Sequence, residues 1–112
     1  MIIREATKED LEKFWGRIPP VSVRAIVADN DGVIEGVAGI TLEKGLPTAF
    51  SEVREGCEVP KRTRFTVAKQ MADWMKPFRP IAAIEKEASD KFLLRMGFKP
   101  IAERQNIKVY RL

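Results

Sequence analysis

The sequence contains no histidine and a single cysteine, Cys57. The first absence removes Ser-His-Asp and Cys-His nucleophile triads and histidine-based zinc sites. The second removes an internal disulfide and a structural zinc site built on thiolates. Acid–base work falls to carboxylates, lysines, Tyr110 and water held by the backbone. No apolar run approaches the length of a membrane span, and residues 1–20 lack the pattern of a signal peptide. The expectation is a cytoplasmic protein with no membrane partner. Internal repeats, low-complexity segments and linkers are missing too, so residues 1–112 read as one domain.

Hydrophobic residues make up 45% and charged residues 32% of the chain, the balance of a globular protein with a modest core. The formal net charge is +4. That suits an anionic partner such as a nucleotide cofactor, a nucleic acid or an acidic protein. It suits a lysine-rich solvated surface equally well, because the acidic residues are interspersed with the basic ones. A small nucleic-acid binder is disfavoured: the aromatic residues fall at core positions and form no stacking series.

Hydrophobic periodicity and turn signals give an order of elements. Ile2 and Ile3 begin a short strand. Thr7 is placed as the N-cap of a helix running to about Gly16, with Leu11, Phe14 and Trp15 on its apolar face. Ile18-Pro19-Pro20 is a stiff connector. Val21–Asp29 and Val33–Leu42 read as strands joined by the hairpin signal Asn30-Asp31-Gly32. Thr48 to about Val53 is a further strand. Lys61–Lys76 is the strongest helix, with Phe65, Ala68, Met71, Ala72 and Met75 at helical spacing. Pro80–Glu85 is a strand and Ala88–Met96 a helix. Phe98–Leu112 is a hairpin around Arg104-Gln105-Asn106. The helix 61–76 has a length suited to a right-handed parallel crossover, which makes the sheet mixed with helices on both faces. Leu11, Phe14, Val37, Ile40, Phe65, Ala68, Met71, Phe92, Leu93 and Phe98 are expected to share one core.

The stretch Ala88-Ser89-Asp90-Lys91-Phe92-Leu93-Leu94-Arg95-Met96-Gly97-Phe98 is an amphipathic helix ended by a glycine, then an aromatic residue opening a strand. Together with the order of elements and the hairpin Ala28–Ile40, with its mid-strand Gly36 and Gly39, it resembles the GNAT superfamily of N-acetyltransferases. The resemblance covers the whole chain and implies a single-domain α/β fold of GNAT type with a mixed central sheet. It departs from the family between the first helix and second strand, where Pro19-Pro20 replaces a helix that often shapes the acceptor site.

The resemblance implies acyl-coenzyme A, acetyl-CoA in particular, and an amine acceptor as substrates. In the family a turn of the form Arg/Gln-x-x-Gly-x-Gly/Ala opens the helix after the fourth strand and binds pyrophosphate through its amides. The matching residues are Arg62-Thr63-Arg64-Phe65-Thr66-Val67, with Phe65 and Val67 in place of the glycines. Arg62, Thr63, Arg64, Phe65 and Thr66 are the cofactor-binding candidates, Lys61 and the two arginines contributing charge. They equally suit a solvated basic helix start. Val53 is the candidate for a backbone amide that polarises the thioester carbonyl. Glu52 is the candidate general base, with Glu85 and Glu87 as others, although a strand glutamate is commonly just solvated. The tyrosine acid of catalytic members is Leu93 here, and the asparagine near the start of that helix is Lys86. Shortness, a glycine-free basic helix start and a last helix of the form Phe-Leu-x-x-x-Gly are similar to small phage-encoded GNAT-like proteins, some virion-associated. That likeness implies a second class of function, non-catalytic binding or assembly with a protein partner.

Overall fold

The protein is described by a computed structural model covering residues 1–43, 45–57, 60–84 and 88–112, with the side chains of Glu43, Ile84, Ala88, Ser89, Asp90 and Phe92 left out. The elements are β1 (Ile2–Glu5), α1 (Lys8–Trp15), β2 (Ser22–Asn30), β3 (Val33–Glu43), β4 (Leu46–Val53), α2 (Lys61–Met75), β5 (Ile81–Ile84), α3 (Ala88–Arg95), β6 (Lys99–Arg104) and β7 (Ile107–Arg111). A 3₁₀ turn, Lys76–Phe78, follows α2. The seven strands form one sheet in the order β1-β2-β3-β4-β5-β7-β6. Every neighbouring pair is antiparallel except β4 and β5, which α2 joins in parallel.

Local chemistry explains most boundaries. Thr7 caps α1 in a reciprocal capping box with Asp10: Asp10 N donates to Thr7 Oγ1 at 3.2 Å and Thr7 N to Asp10 Oδ2 at 2.8 Å. The β2–β3 turn is only two residues long, Asp31 and Gly32, both with positive φ. That is the hairpin geometry matching strand twist, and it lets β2 continue to Asn30. Gln105 and Asn106 do the same between β6 and β7. β4 begins at Leu46, two residues earlier than its sequence pattern predicts, and includes Pro47 opposite Leu42. Pro47 precedes Thr48, the residue of β4 that pairs with β5 among the described residues, so its missing N–H costs no ladder bond there.

The predicted single core is two cores, one on each face of the sheet. Leu11 of α1 packs on Ala25, Val27, Ile34 and Val37, with Phe14, Trp15 and Phe50 around it. Ile34 and Val37 are three apart yet share a face because a bulge skips Glu35: Ala28 pairs with Gly36 and Asp29 with Ile34. On the other face Met71 and Met75 of α2 cover Ile40, and Ala72 joins Ala82, Met96, Phe98 and Tyr110. Ala68 and Leu93 border that second layer. Phe65 is not a core residue. It is 39% exposed, stacked under the Arg95 guanidinium 5.7 Å away. The Phe92 side chain lies outside the described residues, as do Glu85, Lys86 and Glu87. Gly39 is held by close approach of strand β2: a Cβ there would overlap the Arg24 carbonyl oxygen and sit 2.6 Å from Ala25 Cα.

Gly97 closes α3 at φ 96°. Phe98 N donates to Leu93 O at 3.0 Å and Gly97 N to Leu94 O at 3.1 Å, the paired bonds of a Schellman stop, with Phe98 and Leu93 in hydrophobic contact. Gly97→Val should cost about 2 kcal/mol, roughly 10 °C in Tm, because a β-branched residue is strained in that region. An unchanged thermal melt would contradict this reading.

Asp10 is the buried carboxylate of the chain's described part. Arg4 Nη1 and Nη2 donate to its two oxygens at 2.6 and 2.9 Å, and Arg4 also reaches Asp29 Oδ2 at 3.0 Å. Hydrogen bonds from Arg4, then from the Thr7 amide, hold the Asp10 carboxyl well below the usual carboxylate range. The Gly32 amide, followed by Arg4, lowers Asp29. Both carboxylates are more acidic folded than unfolded. Their contribution is therefore present above about pH 4 and is lost as pH falls below it. Asp10→Ala keeps the Thr7 cap bond but removes the acceptor of the Thr7 amide and of Arg4, and should cost about 1–3 kcal/mol at neutral pH. It should also flatten the acid limb of stability, as urea titrations at pH 7 and about pH 3 would read.

Candidate functional site

The two halves of the sheet part at β4 and β5. Thr48 opposite Ile81 is their pairing among the described residues, whereas β4 is paired with β3 along its whole length. Beyond Thr48 the two parallel strands diverge and leave an open edge on β4. Amides of successive strand residues point to opposite edges. Arg54 N donates to Glu35 O on β3 at 2.7 Å. The amide of Val53 therefore faces away from β3, into the gap. Its side chain is exposed on the α2 face, since Val53 pairs with Gly36.

Glu52 lies on the opposite, α1 face, beside its cross-strand partner Val37. Its Oε2 accepts a hydrogen bond from Trp15 Nε1 at 2.8 Å. Trp15 is itself fixed between Phe50, with centroids 5.8 Å apart, and Phe14 at 6.0 Å. Arg54, two residues on, is half-buried on the same face. Its Nε donates to Ile34 O at 2.9 Å and its guanidinium lies 5.3 Å over the Phe14 ring. Neither Trp15 as a partner of Glu52 nor Arg54 follows from motif reading. Arg54 carries the one usable signal, a cation at the same strand parity as Glu52 immediately past the strand end.

Residues 54–60 lead from this strand end to α2. α2 starts at Lys61, after Pro60, with no side-chain cap and no acidic residue in its first turn. Arg64 N already donates to Pro60 O at 3.0 Å, so the amides of Arg64, Phe65 and Thr66 serve the helix. The amides of Lys61, Arg62 and Thr63 precede that first bond and have no carbonyl partner within α2. Thr66 Oγ1 donates to Arg62 O at 3.0 Å. Lys61, Arg62 and Arg64 are exposed, and Val67 turns inward against the Ile40 cluster. Arg95, stacked on Phe65, adds a further cation beside this helix start. A helix N-terminus with cationic side chains, no acidic residue in its first turn and no side-chain cap among the described residues fits a pyrophosphate. The contact differs from a glycine turn: three amides and flexible arms, in place of a backbone cradle.

The position of the tyrosine acid is occupied by Leu93, which packs beside Met96 and Phe98. Tyr110 is 3% exposed in the same cluster. Among the described residues no group of His, Cys, Asp and Glu is arranged to hold a metal ion, and no helix is long and apolar enough to cross a membrane. A shallow hollow of about 420 Å³ beside Glu9, Glu12, Lys13 and Gly16 lies on α1, away from the gap.

No protein-family model matches the sequence, and no curated protein matches it. The structure is similar to the crystal structure of a ribosomal-protein-alanine N-acetyltransferase from Brucella melitensis, with a TM-score of 0.68 and 15% sequence identity, over 100% of this chain and 99% of that one. A mixed sheet in this strand order, split between β4 and β5 and flanked by helices on both faces, is the GNAT acetyltransferase fold, and this chain has it.

Proposed function

We propose that the chain is an acyl-CoA-dependent N-acyltransferase that binds acetyl-CoA weakly and transfers the acetyl group directly to an amine. The reading is carried by the divergence of β4 and β5, with the Val53 amide facing into the gap. On one side of that gap stands the uncapped basic start of α2, and on the other Glu52. The pyrophosphate would sit on the Lys61–Thr63 amides and the side chains of Lys61, Arg62 and Arg64. The thioester carbonyl would accept from Val53 N–H, which stabilises the oxyanion as it develops. Glu52 would take a proton from the ammonium, directly or through water, freeing the nitrogen lone pair. The N–C bond then forms, the C–S bond breaks, and the acylated nitrogen gives up its second proton to solvent. The thiolate leaves without a side-chain acid, because Leu93 and the buried Tyr110 supply none, and takes its proton from solvent. Much of the rate would come from holding amine and thioester together.

Loss of the acid and of the glycine turn favours a second reading, in which the fold binds or assembles with a protein partner and transfers nothing. A phage or prophage setting belongs to that reading. Calorimetric titration with acetyl-CoA separates the two. Binding should be in the range of about 100 μM, roughly −5.5 kcal/mol. Side-chain contacts to phosphate are more exposed to counterions than buried amides are. Affinity should therefore fall steeply with added salt, and Arg62→Ala with Arg64→Ala should abolish it. Submicromolar, salt-insensitive binding would mean a backbone cradle not described above, and complete absence of binding would leave the second reading.

Glu52→Gln tests the base. The amide keeps an oxygen for Trp15 Nε1 and the shape of the side chain but cannot accept a proton. The kcat of acetyl transfer should fall by about 10²–10⁴, the ordinary worth of a general base, with acetyl-CoA affinity unchanged. Equal turnover by the variant would remove Glu52 from the mechanism.

A further inference from the structure

The α1 face at the end of β4 carries two opposite charges that do not satisfy each other. Arg54 is held in place before any ligand arrives. Its Nε is committed to Ile34 O at 2.9 Å, and the guanidinium carbon lies over the Phe14 ring, 5.3 Å from the centroid. Much of the rotamer entropy of the side chain is thus already lost. Its two terminal nitrogens have no protein partner among the described residues. Glu52 is fixed in the same way, through Trp15 Nε1 on Oε2 at 2.8 Å, and its Oε1 is unengaged among those residues. Two strand positions separate their Cα atoms by roughly 6.6 Å, so both side chains project to one face. Yet no ion pair joins them within the described residues, where those found involve Arg4 and Arg24. A fixed planar fork beside a fixed carboxylate, each with open bonding capacity, is complementary to a small molecule carrying one negative and one positive group.

We propose that this site binds an acceptor bearing both an amine and a carboxylate, an amino acid in the broad chemical sense. Arg54 holds the carboxylate in a bidentate pair through Nη1 and Nη2. Glu52 receives the ammonium, and Trp15 positions Glu52 without touching the reacting atoms. The fate of the amine rests on the acyl-transfer reading above; the binding of the zwitterion rests on this geometry alone. If Arg54 were only a lid on Phe14, its Nε bond and ring contact would complete its role, and a neutral side chain of equal length would replace it without consequence for ligands.

The experiment follows the Trp15 indole N–H resonance by NMR in the full-length protein, with the Trp74 indole as the internal control. Trp74 lies under Arg24, 5.0 Å from its ring centroid, on the α2 face. Glycine, β-alanine and L-glutamate are titrated against ethylamine, ethanolamine and acetate. At least one of the three amino acids should shift the Trp15 resonance saturably, at least tenfold more tightly than any ligand lacking one of the two groups. Arg54→Met keeps the apolar stem over Phe14 and should weaken the amino-acid response at least tenfold, with the ethylamine response unchanged. Equal responses to ethylamine and β-alanine, no Trp15 response to any amino acid, or wild-type affinity in Arg54→Met would each overturn the proposal. If Arg54→Met fails to fold, the ligand comparison on the native protein decides by itself. Amino-acid binding without acetyl transfer would sink the acyltransferase reading and leave this site standing. Transfer to a peptide N-terminus without amino-acid binding would do the reverse.

Discussion

The architecture depends on how β4 and β5 are held together at one point and kept apart beyond it. Parallel neighbours need a crossover, and α2 supplies it. What fixes the junction is a seam of alanines. Ala49 of β4, Ala82 of β5 and Ala68 and Ala72 of α2 meet in one cluster, so the helix lies close over both strands at the place where they touch. Leu112 packs on the same clusters and its N donates to Pro80 O at 3.0 Å, with Pro80 fully buried. Larger side chains there would lift α2 and widen the junction. The gap above Thr48 is therefore a product of packing below it, and the direction of the Val53 amide follows from the β3–β4 register.

Features set by a few neighbouring residues were legible in the sequence. Thr7 as N-cap, the Asp31-Gly32 turn, the crossover helix and the left-handed Gly97 each depend on local chemistry. So did the order of elements, and with it the GNAT-type α/β fold. Features set by register were not. The bulge at Glu35 moves Ile34 onto the face of Val37, which no alternation count would show. Pro47 enters a strand because the neighbour that would need its N–H starts one residue later. Phe65 fits the helical apolar spacing, yet it sits in the first turns of α2, outside the described core clusters, and lies beneath Arg95.

The site divides along the same line. Its strand residues could be anticipated by type: a carboxylate and a free amide at the end of the fourth strand. Their partners could not. Trp15 reaches Glu52 across 37 positions of sequence, and Arg54 finds its ring on α1. The helix start is the sharper case. With Phe65 and Val67 at the glycine positions, the backbone adopts helix from Lys61, and an amide inside a helix is unavailable to a ligand. The bulk of the two side chains is a secondary matter, since Val67 points inward and Phe65 lies under Arg95.

In the acyl-transfer reading, that substitution changes the physics of anion recognition at this helix. A glycine turn offers rigid, uncharged donors that lose little to ionic strength. Lys61, Arg62, Arg64 and Arg95 offer full charges on mobile or stacked arms, whose attraction extends over about a Debye length and is screened beyond it. Such an end draws any polyanion toward the gap but orients none of them well. Orientation must then come from the other face of the sheet, where Trp15, Glu52 and Arg54 are fixed by ring packing and backbone bonds. In the acyl-transfer reading, discrimination among acceptors is built into rigid structure, and hold on the acyl donor is left to long-range charge.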